Sequence, residues 1–317
     1  MSENYLHEKE NNLNKLYLLA LIFLITFGFY KNGILVFKEF SDNYVMLFKP
    51  LLFPLINIII SCFFEYIFNK KIKISDNTIF MILLSMIVPV NTNLLIFLSL
   101  NIIFSFIIYF VFDKINLRLN YVALFKLILI LVLLVINKYN YANNLELIKK
   151  YSYDLLDIFI GRGISGVASS SILFSILGYF ILCLNKYYKN EIPLISFSVY
   201  FLLVLIFKVL FNHVIVLNSM IIFALIFIAP INNFSPAIKK ERIIYSIVLG
   251  ILTFICTYFI NMYDGVIIAV MISSGINYIN KTGRIILPVD NKNTLYLTTC
   301  DKFDKTKQIV IKCVNKV

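Results

Sequence analysis

Tryptophan is absent from the 317 residues, and histidine occurs only at His7 and His213. Two histidines exclude a multi-His metal centre. The five cysteines are Cys62, Cys183, Cys256, Cys300 and Cys313, and no two of them form a CxxC pair. Three lie inside apolar runs, so they read as small apolar packers with incidental thiols rather than as metal ligands or a disulfide framework. Charge is scarce: Asp, Glu, Lys and Arg make up 15% of the chain, against about 25% in soluble domains. No Ser/His/Asp, Cys/His or metal cluster is present, which leaves no soluble-enzyme reading.

What the chain has instead is apolar surface. Hydrophobic residues make up 60% of it and the mean hydropathy is +0.87. One globular core cannot hide that many apolar side chains, whereas a lipid bilayer accepts them on the outside of a bundle. With Trp missing, the 20 tyrosines take over interfacial anchoring. The net charge of +12 raises nucleic acid as a partner. The Lys and Arg fall in short clusters between apolar runs, however, which fits topology signals on an inner membrane surface. The lipid bilayer is therefore the expected partner, and nucleic acid is not.

Residues 1–14 are polar and of mixed charge, without the basic start, short apolar stretch and small-residue cleavage site of a signal peptide. The first apolar run, Leu16 to Phe37, is thus expected to stay as a membrane segment. Further runs cover 45–68, 78–90, 93–112 and 121–136, then 166–184, 192–211, 213–229, 242–260 and 265–280. A full span needs about 20 residues. The runs at 78–90 and 213–229 are short and end at Pro89 and Pro230. "MIVPVNTN" (Met86 to Asn93) and "FIAPINNF" (Phe227 to Phe234) hold the same place in the two halves. Paired short, Pro-interrupted segments point to an internal repeat with a site near the midplane. The expected fold class is all-α: a polytopic integral membrane protein of about ten transmembrane helices in two five-helix halves, inverted because five is odd. The expected division is an N-terminal segment 1–14, a first half 15–136, an extracytoplasmic loop 137–165, a second half 166–285 and a polar tail 286–317. In that tail, "TLYLTTC" and "KQIVIKCV" have the look of two strands.

Basic residues follow the even-numbered runs: Lys70, Lys71 and Lys73, then Lys114 and Arg118, Lys186 and Lys189, Lys239, Lys240 and Arg242, and Lys281 and Arg284. The positive-inside rule then places both termini in the cytoplasm of a cell with this protein in its inner (cytoplasmic) membrane. Inside the runs, Glu65 reads as an interfacial residue near Lys70, and Lys126 and Lys208 as side chains that snorkel to an interface. The stretch "GRGISGVASSS", Gly161 to Ser171, is unusual in its small residues. Free N–H groups at the following helix start suit a phosphate or a carbonyl. Equally, small residues allow close helix packing, with Ser165 or Ser169 as an N-cap. No dinucleotide or phosphate-loop fingerprint is expected in it.

These segments together resemble a known family over about residues 45 to 282. "SCFFEYIFNKKIKISDNTIFMILLSMIVPVNTN", "LRLNYVALFK", "DIFIGRGISGVASSSILFSILGYFIL", "EIPLISF", "SPAIKKERIIYSIVLGILTF" and "YDGVIIAVMISSGINYI" are similar, in order and spacing, to the D-type membrane component of the Rnf electron-transport complex. That component is itself related to the B-type membrane component of the Na⁺-translocating NADH:quinone reductase. The resemblance implies ten membrane helices in two inverted halves. It also implies electron transfer between ferredoxin or NADH and a membrane partner, coupled to Na⁺ or H⁺ transport, with other membrane subunits of a redox complex as partners. It implies FMN held through its phosphate on a Thr in a Ser-Gly-Ala-Thr motif.

In "YNYANNLELIKK" Asn143 stands where that Thr belongs. An amide cannot form the phosphoester, so covalent flavin at this position should be absent. The family's Gly-Glu-Thr-Ser falls at Ala168, Ser169, Ser170 and Ser171, without its carboxylate. Its Thr-Asp-Pro falls at Pro230, Ile231 and Asn232, without its Asp. Gly265 survives, with Asp264 in place of Glu. The candidate cofactor residues are therefore Asn143, Gly161, Ser165, Ser169, Ser170 and Ser171, holding FMN without a covalent bond or holding none. Three functions remain open. One is a divergent D-type component of an Rnf-like membrane redox complex. Another is a solute or ion channel or transporter on the same scaffold, with a polar path past Asn91, Asn93, Asn232 and Asn233. The third is an assembly protein without ligand.

Overall fold

The computed structural model describes residues 3–39, 44–70, 75–112, 119–136, 139–142, 154–211 and 218–286. The chain divides into two units, 1–275 and 276–317. Described residues of the second unit are the C-terminal end of one helix, Gly265–Ile286. Among the expectations above, Asn143 and the two tail strands lie outside the described residues.

The chain is an all-α polytopic membrane protein. Five helices are long and apolar enough to cross a membrane: Asn12–Lys38, Leu47–Phe68, Leu94–Phe112, Glu191–Phe211 and Lys239–Phe259. Five more are apolar but shorter: Asp76–Ile87, Tyr121–Val135, Ile172–Cys183, Ser219–Ile228 and Gly265–Asn280. We number the α-helices α1 (Glu3–Gly28), α2 (Val36–Glu39), α3 (Tyr44–Asn69), α4 (Asp76–Ile87), α5 (Leu94–Ile107), α6 (Tyr121–Val135), α7 (Leu155–Ile160), α8 (Ile172–Cys183), α9 (Glu191–Phe211), α10 (Ser219–Phe223), α11 (Lys239–Phe259) and α12 (Gly265–Ile286). Wider π-helical turns join α1 to α2 at Phe29–Leu35 and extend α5 through Ile108–Phe112 and α10 through Ala224–Ile228. Residues 3–14 are helical and continuous with the first apolar helix.

The two short helices sit at the heart of the fold. Ser75 opens α4 by accepting the Thr78 N–H, and Pro89 closes it by forcing Val88 into extended backbone. Every residue from Thr78 to Ile87 is buried. The same is true of Ser219 to Ile228, which Asn218 caps and Pro230 ends. A helix apolar on all sides belongs inside, and one too short to cross a bilayer survives at that depth only when protein covers its ends.

These helices run antiparallel. Asn233, just past the end of the second, donates to Asp76 at the start of the first at 3.0 Å. At the other side, Lys126 Nζ links the end of α4 to Asp264, while Asn218 at the start of α10 reaches Met262 O at 3.4 Å. Their approaches are alike as well. Lys49, near the start of α3, donates to Val90 O just after Pro89. Lys189, just before α9, donates to Asn232 O at 3.2 Å and Ser235 O at 3.0 Å just after Pro230.

Gly28 of α1 marks one tight contact. A Cβ built there would lie 2.7 Å from Val167 O. Gly28→Val is expected to destabilise by about 1–3 kcal/mol through overpacking against backbone, read as a lower melting temperature of the purified protein in detergent.

Candidate functional site

A helix that stops inside a protein leaves its last carbonyls without intrahelical partners. In a membrane, each one left bare costs several kcal/mol. The end of α4 therefore has to be answered from elsewhere in the chain. Met86 O accepts the Ala168 N–H at 3.0 Å and Val88 O the Val167 N–H at 2.9 Å. Ile87 O accepts from Lys126 Nζ of α6 at 2.8 Å, and Val90 O from Lys49. Pro89 and Gly166 form an antiparallel bridge. The small-residue stretch is thus a short strap laid along the broken helix end. Its own carbonyls are held in turn: Gly163 O by Lys31, and Val167 O by Asn32 Nδ2 at 2.9 Å.

Beside this strap lies a buried charge cluster. Lys126 and Asp264 approach to 3.8 Å with side chains 0% and 2% exposed. Tyr139 and Tyr141 both donate their hydroxyls to the Asp264 carboxylate. Lys126 Nζ also sits 4.9 Å from the centre of the Tyr141 ring. Asn261 supports the rear, donating to Tyr139 Oη at 3.1 Å and accepting the Asp264 N–H at 3.2 Å. Burial, and then the Asp264 charge, push both phenols well above the ordinary tyrosine value. They stay protonated donors across the physiological range, and the carboxylate stays hydrogen-bonded.

The snorkelling expected of Lys126 is corrected by this geometry: it points inward, because Ile87 O and Asp264 offer partners that lipid does not. Lys208 is exposed, as snorkelling requires. Glu65 is buried, and Tyr109 Oη donates to it at 2.7 Å.

The candidate cofactor residues fall in the strap and its flanks. Gly161 ends α7 in left-handed backbone, φ 115°, with its N–H on Asp157 O. Ser165 makes one long bond, 3.3 Å, to Gly166 O. The hydroxyls of Ser169 and Ser170 are buried without a partner. Ser171, not Ser165 or Ser169, is the N-cap of α8, accepting the Phe174 N–H. Its own backbone is extended, φ −96° and ψ 121°, as an N-cap requires. Gly161 to Gly166 does spell G-x-G-x-x-G, against the expectation of no such fingerprint. Its setting is wrong for a dinucleotide, since a helix rather than a strand precedes it and α8 begins only at Ile172. The Val167 and Ala168 N–H groups that a phosphate would seek are bonded to α4.

Helix α6 joins the two halves. Asn120, its N-cap, accepts the Ala123 N–H and donates through Nδ2 to Ile228 O at 3.0 Å, at the end of the second short helix. Six residues on, or about 9 Å of helix rise, Lys126 answers Ile87 O at the end of the first. The four asparagines of the envisaged polar path divide into two distant pairs. Asn91 bonds Ala142 O and Asn93 caps α5 at one end of α4, while Asn232 is exposed and Asn233 bonds Asp76 at the other.

Sequence reasoning missed Lys31, Asn32 and Lys49, and it took Asp264 only as a replacement for a family Glu. Their one shared signal is a polar residue at the edge of an apolar run beside Gly or Pro. A profile of the NQR2, RnfD, RnfE family matches residues 5–280. No curated protein matches the chain.

Proposed function

The chain belongs to the NQR2, RnfD, RnfE family, and from that premise we propose that it is the RnfD-like membrane component of an Rnf-type electron-transport complex that moves ions. Membership itself makes it a membrane component of an ion-translocating electron-transport complex. The observation that carries the finer reading is the pair of buried, Pro-ended short helices whose last carbonyls are both held by α6. That arrangement gives two broken helices facing opposite ways around one shared strut, a form suited to ion passage between two sides. Partners on this reading are other membrane subunits of the complex. The Lys- and Arg-rich turns support an inner-membrane location with cytoplasmic termini.

FMN in this complex sits on other proteins of the assembly or is held here without a covalent bond, because Asn143 offers no phosphoester oxygen. After denaturing electrophoresis of the wild-type chain, no flavin fluorescence is expected to remain on its band; a fluorescent band would overturn the reading of Asn143. The function is tested in membrane vesicles from cells with and without the chain. Loss of reductant-driven ion uptake on its deletion, restored by the full chain, is the expected result. Unchanged uptake would sink the proposal.

A further inference from the structure

Asp76, the first residue of α4, ties three segments together. Asn14 of α1 donates to its Oδ1 at 2.9 Å, and Asn233, beyond the second short helix, donates to its Oδ2 at 3.0 Å. Among the described residues no Lys or Arg pairs with this carboxylate. Asn233 belongs to the turn between Pro230 and Pro236, and that turn is braced from within. The N–H groups of Phe234 and Ser235 both reach Ile231 O at 3.1 Å, and Ser235 Oγ donates to the same oxygen at 2.8 Å. Lys189 Nζ holds Asn232 O, Ser235 O and Ser235 Oγ at 3.2, 3.0 and 2.7 Å, which anchors the turn on the segment before α9. Toward α4 and α6 the turn extends Phe234, 2% exposed, whose ring centre lies 5.1 Å from that of Phe80 and 4.7 Å from that of Tyr121.

The turn is thus a stiff plug. Its seam with α4 joins a buried ring contact, Phe234 on Phe80, to a wet polar one, Asn233 on Asp76. Asn233 is exposed and Asp76 partly so, and water replaces a donor at such a bond with little net loss. Asp264, the carboxylate at the other side, differs in each respect. It is 2% exposed, takes two phenol hydroxyls and has an ammonium 3.8 Å away, so a partner lost there goes unreplaced. Of the two carboxylates, Asp76 is the one that lets go first. Asn14, 8% exposed, keeps hold of its other oxygen, so the contact can close again.

We propose that this seam is a gate on the face where α4 begins, with Phe234 as the plug and the Asn233–Asp76 bond as its latch. Exchange of Asn233 for water frees the start of α4 from the turn. Water, and with it the translocated ion, then gains access along α4 toward its broken end. The buried Asp264 cluster keeps the opposite face shut meanwhile, as access from one side at a time requires. The gate rests on the ion-translocating reading for its purpose, but its opening is measurable on the isolated chain.

The test puts a reporter thiol one helical turn deeper than Phe80, at Leu84, which is 2% exposed. Alkylation of Leu84→Cys by a charged, water-soluble maleimide is followed in the detergent-solubilised full chain, with the modified sites read by mass spectrometry. Adding Asn233→Asp sets two carboxylates at hydrogen-bond distance and is expected to speed that alkylation about tenfold or more. Adding Asp76→Asn as well should return the rate to that of the reporter alone. In this swapped pair the new amide donates to the new carboxylate and still accepts from Asn14. If Leu84→Cys fails to fold, hydrogen exchange across residues 76–88 of Asn233→Asp, without the reporter, should exceed that of the wild type. Rates equal to those of the unlatched chain's parent overturn the gate, as does a swapped pair that stays fast. A gate that opens in a chain whose deletion leaves vesicle ion uptake unchanged would stand while the complex reading falls.

Discussion

Replacing Lys126 with Met is expected to cost the detergent-solubilised protein about 3–5 kcal/mol, the usual penalty for removing one partner of a buried pair. Three losses act together. Ile87 O at the broken end of α4 loses its only side-chain donor from α6. Asp264, 2% exposed, loses the ammonium 3.8 Å away. The Tyr141 ring loses the cation on its face. Met fills a similar volume, so the cost is electrostatic rather than a cavity. The double variant Lys126→Met with Asp264→Asn is expected to regain part of it, since the amide oxygen still accepts from one phenol and its NH2 donates to the other, without a buried charge. Denaturant or thermal unfolding of the four proteins forms a double-mutant cycle. A coupling energy near zero would show that the two groups do not sense each other.

Asn120→Ala is the second large effect, about 2–4 kcal/mol. One part is the lost N-cap of α6, typically about 1 kcal/mol. The larger part is Ile228 O, left buried at the end of the second short helix without its donor, about 1–3 kcal/mol. Asn120→Ser separates the two contributions: its hydroxyl still caps α6 but is too short to reach Ile228 O, so it should recover only the first. If Asn120→Ser restores full stability in the same unfolding assay, the bond to Ile228 O contributes nothing and α6 does not hold the second half.

The membrane architecture was legible because lipid exposure leaves long apolar runs, and each of the ten apolar helices overlaps one expected run. The short helices were legible through Pro89 and Pro230 set beside Asn-rich turns, since proline alone does not decide it: Pro50 and Pro54 lie inside α3. The partners of their exposed carbonyls were not. Lys126 is a lysine in an apolar run, and composition cannot tell a side chain that reaches outward from one that reaches a carbonyl on another helix. Asp264 stands at the start of α12 in a turn, where an acid needs no special explanation. The strap showed in the sequence as a cluster of small residues, but its pairing with α4 depends on contacts across the fold that no local pattern carries. Gly28 is a case in point: its need for no side chain comes from Val167, far along the chain.

The most direct measurement purifies the full chain from its own membranes in mild detergent and identifies what comes with it by mass spectrometry. The account predicts other multi-pass proteins together with flavin- or iron–sulfur-bearing redox proteins, in fixed ratio. A chain recovered alone, and carrying solute across vesicles once reconstituted by itself, would contradict it.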